Sequence, residues 1–178
     1  MAAANAAREI LRRLHEVMAA RSGAEAKLNQ VVRIVSDLLS SEVASVYLLR
    51  DGMLELYATQ GLAQSAVHVT RLSMGQGLVG TIAATREPLN LAEAKAHPDF
   101  AYRPETGEDD YHSFAGVPIV RREAAIGVLG VQHREPRDYD DVEIEVLQTV
   151  AMVLSELIHG AGLVDDAARL VEHRRAAP

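Results

Sequence analysis

Val43-Ala44-Ser45-Val46-Tyr47-Leu48-Leu49-Arg50-Asp51-Gly52-Met53-Leu54-Glu55-Leu56-Tyr57-Ala58 is the stretch on which the reading of the fold turns. Two strand-like runs, Val43 to Leu49 and Met53 to Ala58, flank Asp51-Gly52, a pair that supplies the positive backbone angles a tight hairpin turn demands. The runs are therefore antiparallel neighbours. A sheet that starts this way is not the parallel, crossover-connected sheet of a dinucleotide-binding domain.

Downstream, His68 to Leu72 alternates as a third short strand, and Gly75-Gln76-Gly77-Leu78-Val79-Gly80 leads into a short helix ending at Thr85. Residues 86 to 113 read as a long loop with one turn of helix near Ala92 to Ala96, and loops of that length in a compact domain are functional or mobile. Phe114 to Val120 and Ala125 to Gln132 form a second hairpin, in which Pro118 marks an edge or a bulge.

Upstream, Ala4, Ala7, Leu11, Leu14 and Met18 recur with the period of a helix that buries one narrow seam. Ser22 with Glu25 has the spacing of a capping box before a second amphipathic helix carrying Leu28, Val31, Val32, Val35, Leu38 and Leu39. Asp140 with Glu143 repeats the signature before a long final helix. That helix has two apolar stripes, Val142-Val146-Val150-Val153-Leu157 and Ile144-Leu147-Ala151-Leu154-Ile158, one to cover the sheet and one for another helix. Two stripes and an extra seam exceed what one small sheet buries, so a homodimer through the terminal helices is expected. The pattern resumes at Leu163, Ala167, Leu170 and Val171 before a charged tail, Glu172 to Ala177, that reads as a linker to a further domain. The expected fold class is α+β, a central antiparallel sheet flanked by helices with the N- and C-terminal helices in a bundle. Its divisions are residues 1–22, 23–159 and 160–178.

The chain has 178 residues, enough for one domain with helical extensions. A net charge of −7 opposes binding to phosphate backbones and anionic membranes, so neither nucleic acid nor membrane is an expected partner. With no cysteine, disulfides, thiolate metal sites and cysteine nucleophiles are excluded. Arg8, Arg12 and Arg13 interrupt the first residues, which therefore lack the apolar core of a secretion signal, and the cytosol is the expected compartment.

Four of the seven aromatic residues, Phe100, Tyr102, Tyr111 and Phe114, fall in one short segment with Arg103, Glu105, Glu108, Asp109, Asp110 and His112. Rings exclude water while charges and hydroxyls orient a polar guest, so this segment is the candidate binding loop. Gly75-x-Gly77-x-x-Gly80 matches a dinucleotide fingerprint in letters only and is read as a tight turn opening a helix, whose N–H groups near Gly77 and Leu78 can receive a carboxylate. His97, His112 and His133 lack ligand spacing, so neither a metal nor a cofactor is expected. His112 and Ser113, as neighbours on an extended segment, point to opposite faces, and no catalytic constellation is present.

The order of helix, hairpin, third strand, glycine turn, long loop, second hairpin and final helix resembles a GAF domain over Lys27 to Ile158. More specifically, Asn90-Leu91, His97-Pro98, Phe100-Ala101-Tyr102-Arg103-Pro104-Glu105-Thr106-Gly107-Glu108, Tyr111, Ser113-Phe114, Gly116-Val117-Pro118-Ile119 and Gly127-Val128-Leu129 resemble the amino-terminal GAF domain of the nitrogen phosphotransferase system enzyme I. The resemblance implies a regulatory fragment of a phosphoenolpyruvate-dependent protein kinase. In that family the GAF domain senses glutamine and adjusts autophosphorylation of a catalytic part, which then phosphorylates a carrier protein at histidine. The catalytic part is absent from this chain, so none of its histidines inherits the phosphoryl-accepting role and the fragment is not expected to be an enzyme. The residues of cyclic-nucleotide GAF domains are not recognisable, and the cysteine of sulfoxide-reductase and most bilin-binding GAF domains is missing. A cyclic-nucleotide sensor and a ligand-free dimerisation module stand as alternatives.

Glutamine as ligand makes definite chemical demands. Arg103 or the Gly77 turn can take its carboxylate, Glu105, Glu108 or Asp110 its ammonium, and Tyr102, His112, Ser113 or Gln132 its side-chain amide. Phe100, Thr106, Tyr111 and Phe114 complete the candidate site.

Overall fold

Asp51 and Gly52 adopt φ of 51° and 76°, the paired positive values of a two-residue hairpin turn. In the computed structural model, which describes residues 2–164, this turn joins β1 (Val43–Arg50) to β2 (Met53–Gln60). With β3 (Arg71–Ser73), β4 (Leu89–Leu91), β5 (Ser113–Arg121) and β6 (Ala124–His133) they form one antiparallel sheet in the order β3-β2-β1-β6-β5-β4. Four helices complete the fold: α1 (Ala2–Ala19), α2 (Ala24–Leu39), α3 (Gly77–Thr85) and α4 (Asp141–Gly160). The α+β class with a central antiparallel sheet is as expected.

Both faces of the sheet are covered, which is why its strands read as near-continuous apolar runs. On one face α1, α2 and α4 pack together over Val46, Val117 and Leu129, with Leu28, Leu147 and Leu154 fully buried between helices and sheet. Burying one such leucine contributes about 1.5–3 kcal/mol. On the other face α3 and the 86–112 segment cover Leu54, Leu56, Phe114 and Val128.

Several local expectations shift by a residue or more. The seam of α1 is Ile10, Leu14 and Val17, whereas Leu11 is 56% exposed, because the larger Ile10 and Val17 bury more apolar area than alanines would. α2 begins one residue later than the Ser22-Glu25 spacing implies: Gly23 is the N-cap, Glu25 falls at the second helical position, and Ser22 Oγ is buried without a partner. The third strand starts at Arg71 and not at His68, since His68 takes φ 64° and its N–H turns to the Leu56 carbonyl at 2.8 Å. The loop also holds β4, which three consecutive residues pair to β5.

Other expectations hold in detail. Asp140 Oδ1 accepts from the Glu143 N–H at 2.8 Å and the Asp140 N–H donates to Glu143 Oε2 at 2.9 Å, a complete capping box. Pairing with β4 stops at Gly116, so Pro118 lies where the outer edge of β5 is free of β4. The two stripes of α4 serve the sheet and its own chain's helices, leaving Val142 and Met152 exposed. The continued period through Ala167, Leu170 and Val171 and the tail Glu172 to Ala177 lie outside the described residues. Among the described residues no helix is long and apolar enough to cross a membrane.

Candidate ligand pocket

A cavity of about 40 Å³ lies on the α3 side of the sheet, at its centre. Its floor is made by alternate residues of adjacent strands: Ser45 and Tyr47 on β1, Gly130 and Gln132 on β6, and Phe114 on β5. Ser45 pairs with Gly130, and Phe114 with Gln132, so pleat periodicity sends all five to one face. Leu72, the start of α3 and the loop residues Phe100, Ala101, Arg103 and Glu108 close the remaining sides.

The start of α3 has a specific chemical character. Gly80 N–H is the first to find an i−4 carbonyl, that of Gln76, so the N–H groups of Gly77, Leu78 and Val79 have no partner within the helix. These three residues all line the cavity, and the positive end of the helix dipole favours an anion there. Gly77 takes φ +67°, and a Cβ on it would stand 3.2 Å from the Ala101 Cβ, so glycine lets the loop close against the helix. Gly80 is required by proximity: a Cβ there would lie 2.5 Å from the Ser73 carbonyl oxygen. The fingerprint-like glycines thus serve a turn between antiparallel elements.

The loop is tied down by few bonds. The Thr106 carbonyl accepts from Ala63 N–H at 3.0 Å, Thr106 Oγ1 donates to the Arg103 carbonyl at 2.7 Å, and Thr70 Oγ1 donates to Glu105 Oε1 at 3.2 Å. Tyr102 Oη donates to Asp109 Oδ2 at 2.9 Å, and Lys95 Nζ holds the Asp109 carbonyl. Inside the pocket, Gln132 Nε2 donates to Glu108 Oε2 at 3.2 Å.

Burial pushes the Glu108 carboxyl above its ordinary value, against hydrogen bonds from Gln132, the Arg103 backbone and Thr106. Tyr47 is pushed well above the usual phenol range by burial and by the neighbouring Glu108 and Glu105. Arg103 Nε is buried with no hydrogen-bond partner, a condition that costs about 1–3 kcal/mol. The pocket lining therefore combines a cation, the free N–H groups at the start of α3 and an acid, with an amide and hydroxyls on its floor.

Of the residues singled out from the sequence, Gly77, Phe100, Arg103, Glu108, Phe114 and Gln132 line the cavity. The others do not. Tyr102 is half exposed on Asp109, and Glu105 is pinned to Thr70 on the outside. Thr106 is a buried strut of the loop, and Asp110 faces solvent. Tyr111 is buried beneath the Arg134 guanidinium, His112 pairs with Glu93 at 3.0 Å, and Ser113 Oγ turns to the His133 carbonyl. His97, His112 and His133 go to separate carboxylates, and among the described residues no group of three potential metal ligands converges. Leu78, named beside Gly77 in the glycine turn, also lines the cavity, whereas sequence reasoning missed Ser45, Tyr47, Leu72, Val79, Ala101 and Gly130. Ser45-x-Tyr47 and Gly130-x-Gln132, small or polar residues at period two inside apolar strands, were the available signal.

An antiparallel sheet with a helical layer on one face and a loop-capped pocket on the other is the architecture of a GAF domain. The GAF family model matches residues 23–158, and the chain belongs to that family. Within it, the chain is 35% identical to the GAF domain from a phosphoenolpyruvate-protein phosphotransferase of Coxiella burnetii, with a TM-score of 0.84 over 90% of this chain and 96% of that one. It is 37% identical over 155 residues to a phosphoenolpyruvate-dependent phosphotransferase system protein of Escherichia coli K12, covering 84% of this chain and 21% of that protein. A Nif-specific regulatory protein of Herbaspirillum seropedicae is 28% identical over 137 residues, covering 74% of this chain and 25% of the relative. The chain is thus a regulatory GAF domain of the phosphoenolpyruvate-protein phosphotransferase type, and it spans about a fifth of the length of the E. coli relative.

Proposed function

We propose that this domain senses free glutamine in the cytosol and controls autophosphorylation of a catalytic region in the same polypeptide. The observation that carries the reading is the polarity of the cavity: the unpartnered Arg103 Nε, the start of α3 and the Glu108 carboxyl all line it. A zwitterion satisfies both charges. Its carboxylate meets Arg103 and the N–H groups of Gly77 to Val79, and its ammonium meets Glu108. The amide is left for Gln132, Ser45 and Tyr47 on the floor. The likeness to a Nif-specific regulatory protein supports the link to nitrogen.

The cavity of about 40 Å³ holds about three waters, too little for an amino acid. Entry therefore requires the Asp99–Asp110 stretch to swing away from the sheet, breaking its bonds to Gln132, Ala63, Thr70 and Lys95. Hydrogen bonds of this kind are worth about 0.5–1.5 kcal/mol each, so opening costs a few kcal/mol. Reclosure over the ligand supplies a differential affinity, and a coupling of about 1–3 kcal/mol is enough to bias a partner between two states. Calorimetry of the chain against glutamine, glutamate and 2-oxoglutarate tests the reading: heat with glutamine is expected, and no heat with any of the three removes it.

A second reading, dimerisation through the terminal helices, is favoured by the apolar side chains left outside: Leu11 on α1, and Val142 and Met152 on α4 at 47% and 72% exposure. The two readings are compatible. Light scattering together with that calorimetry separates them: a dimer that binds nothing supports the second.

A further inference from the structure

Gly116 and Gly130 face each other across β5 and β6, and a Cβ on either would run into the same side chain. At Gly116 it would stand 2.6 Å from Cδ1 of Ile82 and 2.9 Å from Cε1 and Cζ of Phe114; at Gly130 it would stand 3.2 Å from Cε2 and 3.3 Å from Cζ of Phe114. The outer edge of the Phe114 ring therefore rests over two side-chain-free residues. A ring at this place on an ordinary β-surface would ride higher, over β-carbons. Phe114 and Gly130 both border the cavity, so the height of the ring above the sheet sets the depth left for a guest. In a space this small, a few tenths of an ångström matter.

We infer that Phe114, seated on the Gly116–Gly130 pair, is the residue that sets the largest amino acid the pocket admits. This rests on the amino-acid reading above and adds to it a selectivity by size. A zwitterion is recognised through its α-groups at Arg103, α3 and Glu108, which any α-amino acid satisfies. Those contacts cannot tell glutamine from a bulkier side chain, whereas a rigid ring on the floor can. Raising the ring excludes glutamine itself; removing its outer edge admits longer or wider side chains.

The test is calorimetry of the wild-type chain, Gly130→Ala and Phe114→Leu against glutamine, methionine, arginine and phenylalanine. It is accompanied by nuclear Overhauser contacts between the Phe114 ring and the α-protons of Gly116 and Gly130. Wild type is expected to show those contacts and to prefer glutamine. Gly130→Ala is expected to keep its fold and lose at least tenfold in glutamine affinity, and Phe114→Leu to gain at least tenfold for one of the larger amino acids. If wild type binds none of the four, the amino-acid reading falls and the size claim with it. If wild type binds glutamine but both folded variants keep its selectivity, or the ring contacts are missing, the inference alone is overturned. Should Gly130→Ala fail to fold, Phe114→Leu decides.

Discussion

The Glu108 carboxylate of the loop accepts a hydrogen bond at 3.2 Å from the side-chain amide of Gln132, on the central strand β6. A carboxyl that burial pushes upward is thus held by a neutral donor, with no cation bonded to it. In the folded chain Glu108 prefers its proton more than in the unfolded chain. A raised value contributes stability that is full below the unfolded value and is lost as pH rises through the folded one. Thermal melts from pH 4 to 8 should therefore show wild type losing stability relative to Glu108→Gln as pH rises above the ordinary glutamate range. A difference independent of pH refutes the assignment. If Glu108 meets the ligand's ammonium, Glu108→Gln should also weaken glutamine at least tenfold.

Arg103 makes the opposite kind of prediction. Its Nε is buried and unsatisfied, so Arg103→Ala removes a donor that has no partner to lose. The melting temperature should hold or rise slightly, while glutamine affinity falls at least tenfold. A loss of about 2 kcal/mol or more in stability would mean that the guanidinium serves the fold and not the ligand.

Glu55 tests the edge of the sheet away from the pocket. Its carboxylate is buried, with Arg71 at 2.7 Å, His68 at 3.0 Å and Arg50 at 3.9 Å. Burial alone would raise it, but the hydrogen bonds from His68 and Arg71 and the charge of Arg50 hold it below the ordinary value. Such a group contributes stability above the unfolded value and loses it as pH falls through the folded one. Glu55→Ala should destabilise by about 1–3 kcal/mol near neutrality, because its partly exposed partners can reach water, and the gap from wild type should close in acid. Denaturant midpoints at pH 7 and pH 3.5 check both statements.

Asp140 caps α4 through both halves of its box. Asp140→Ala should cost about 1 kcal/mol, read as a shifted denaturant midpoint with an unchanged slope. Asp140→Ser should restore most of it. Equal losses in both variants would show that the cap is incidental.

Elements specified by neighbours in the chain were legible in advance. The Asp51-Gly52 turn, the Asp140-Glu143 cap and the β5–β6 hairpin need only local geometry. The errors share a cause. The α1 seam, the first turn of α2 and the start of β3 depend on what packs against them, and competing placements differ by one residue and small energies. The pocket was half legible for the same reason. Composition marked the loop, but it could not say that Arg103 and Glu108 turn inward while Glu105 and Asp110 turn out.

By itself the sequence determined an antiparallel α+β domain, because pleat and helix periods, turn chemistry and caps act over a few residues. It also determined that no thiolate chemistry is possible. Only the tertiary structure decided where the cavity lies and who lines it. Ser45, Tyr47, Gly130 and Gln132 become one floor through strand pairing between residues 85 positions apart, and no local preference encodes that register.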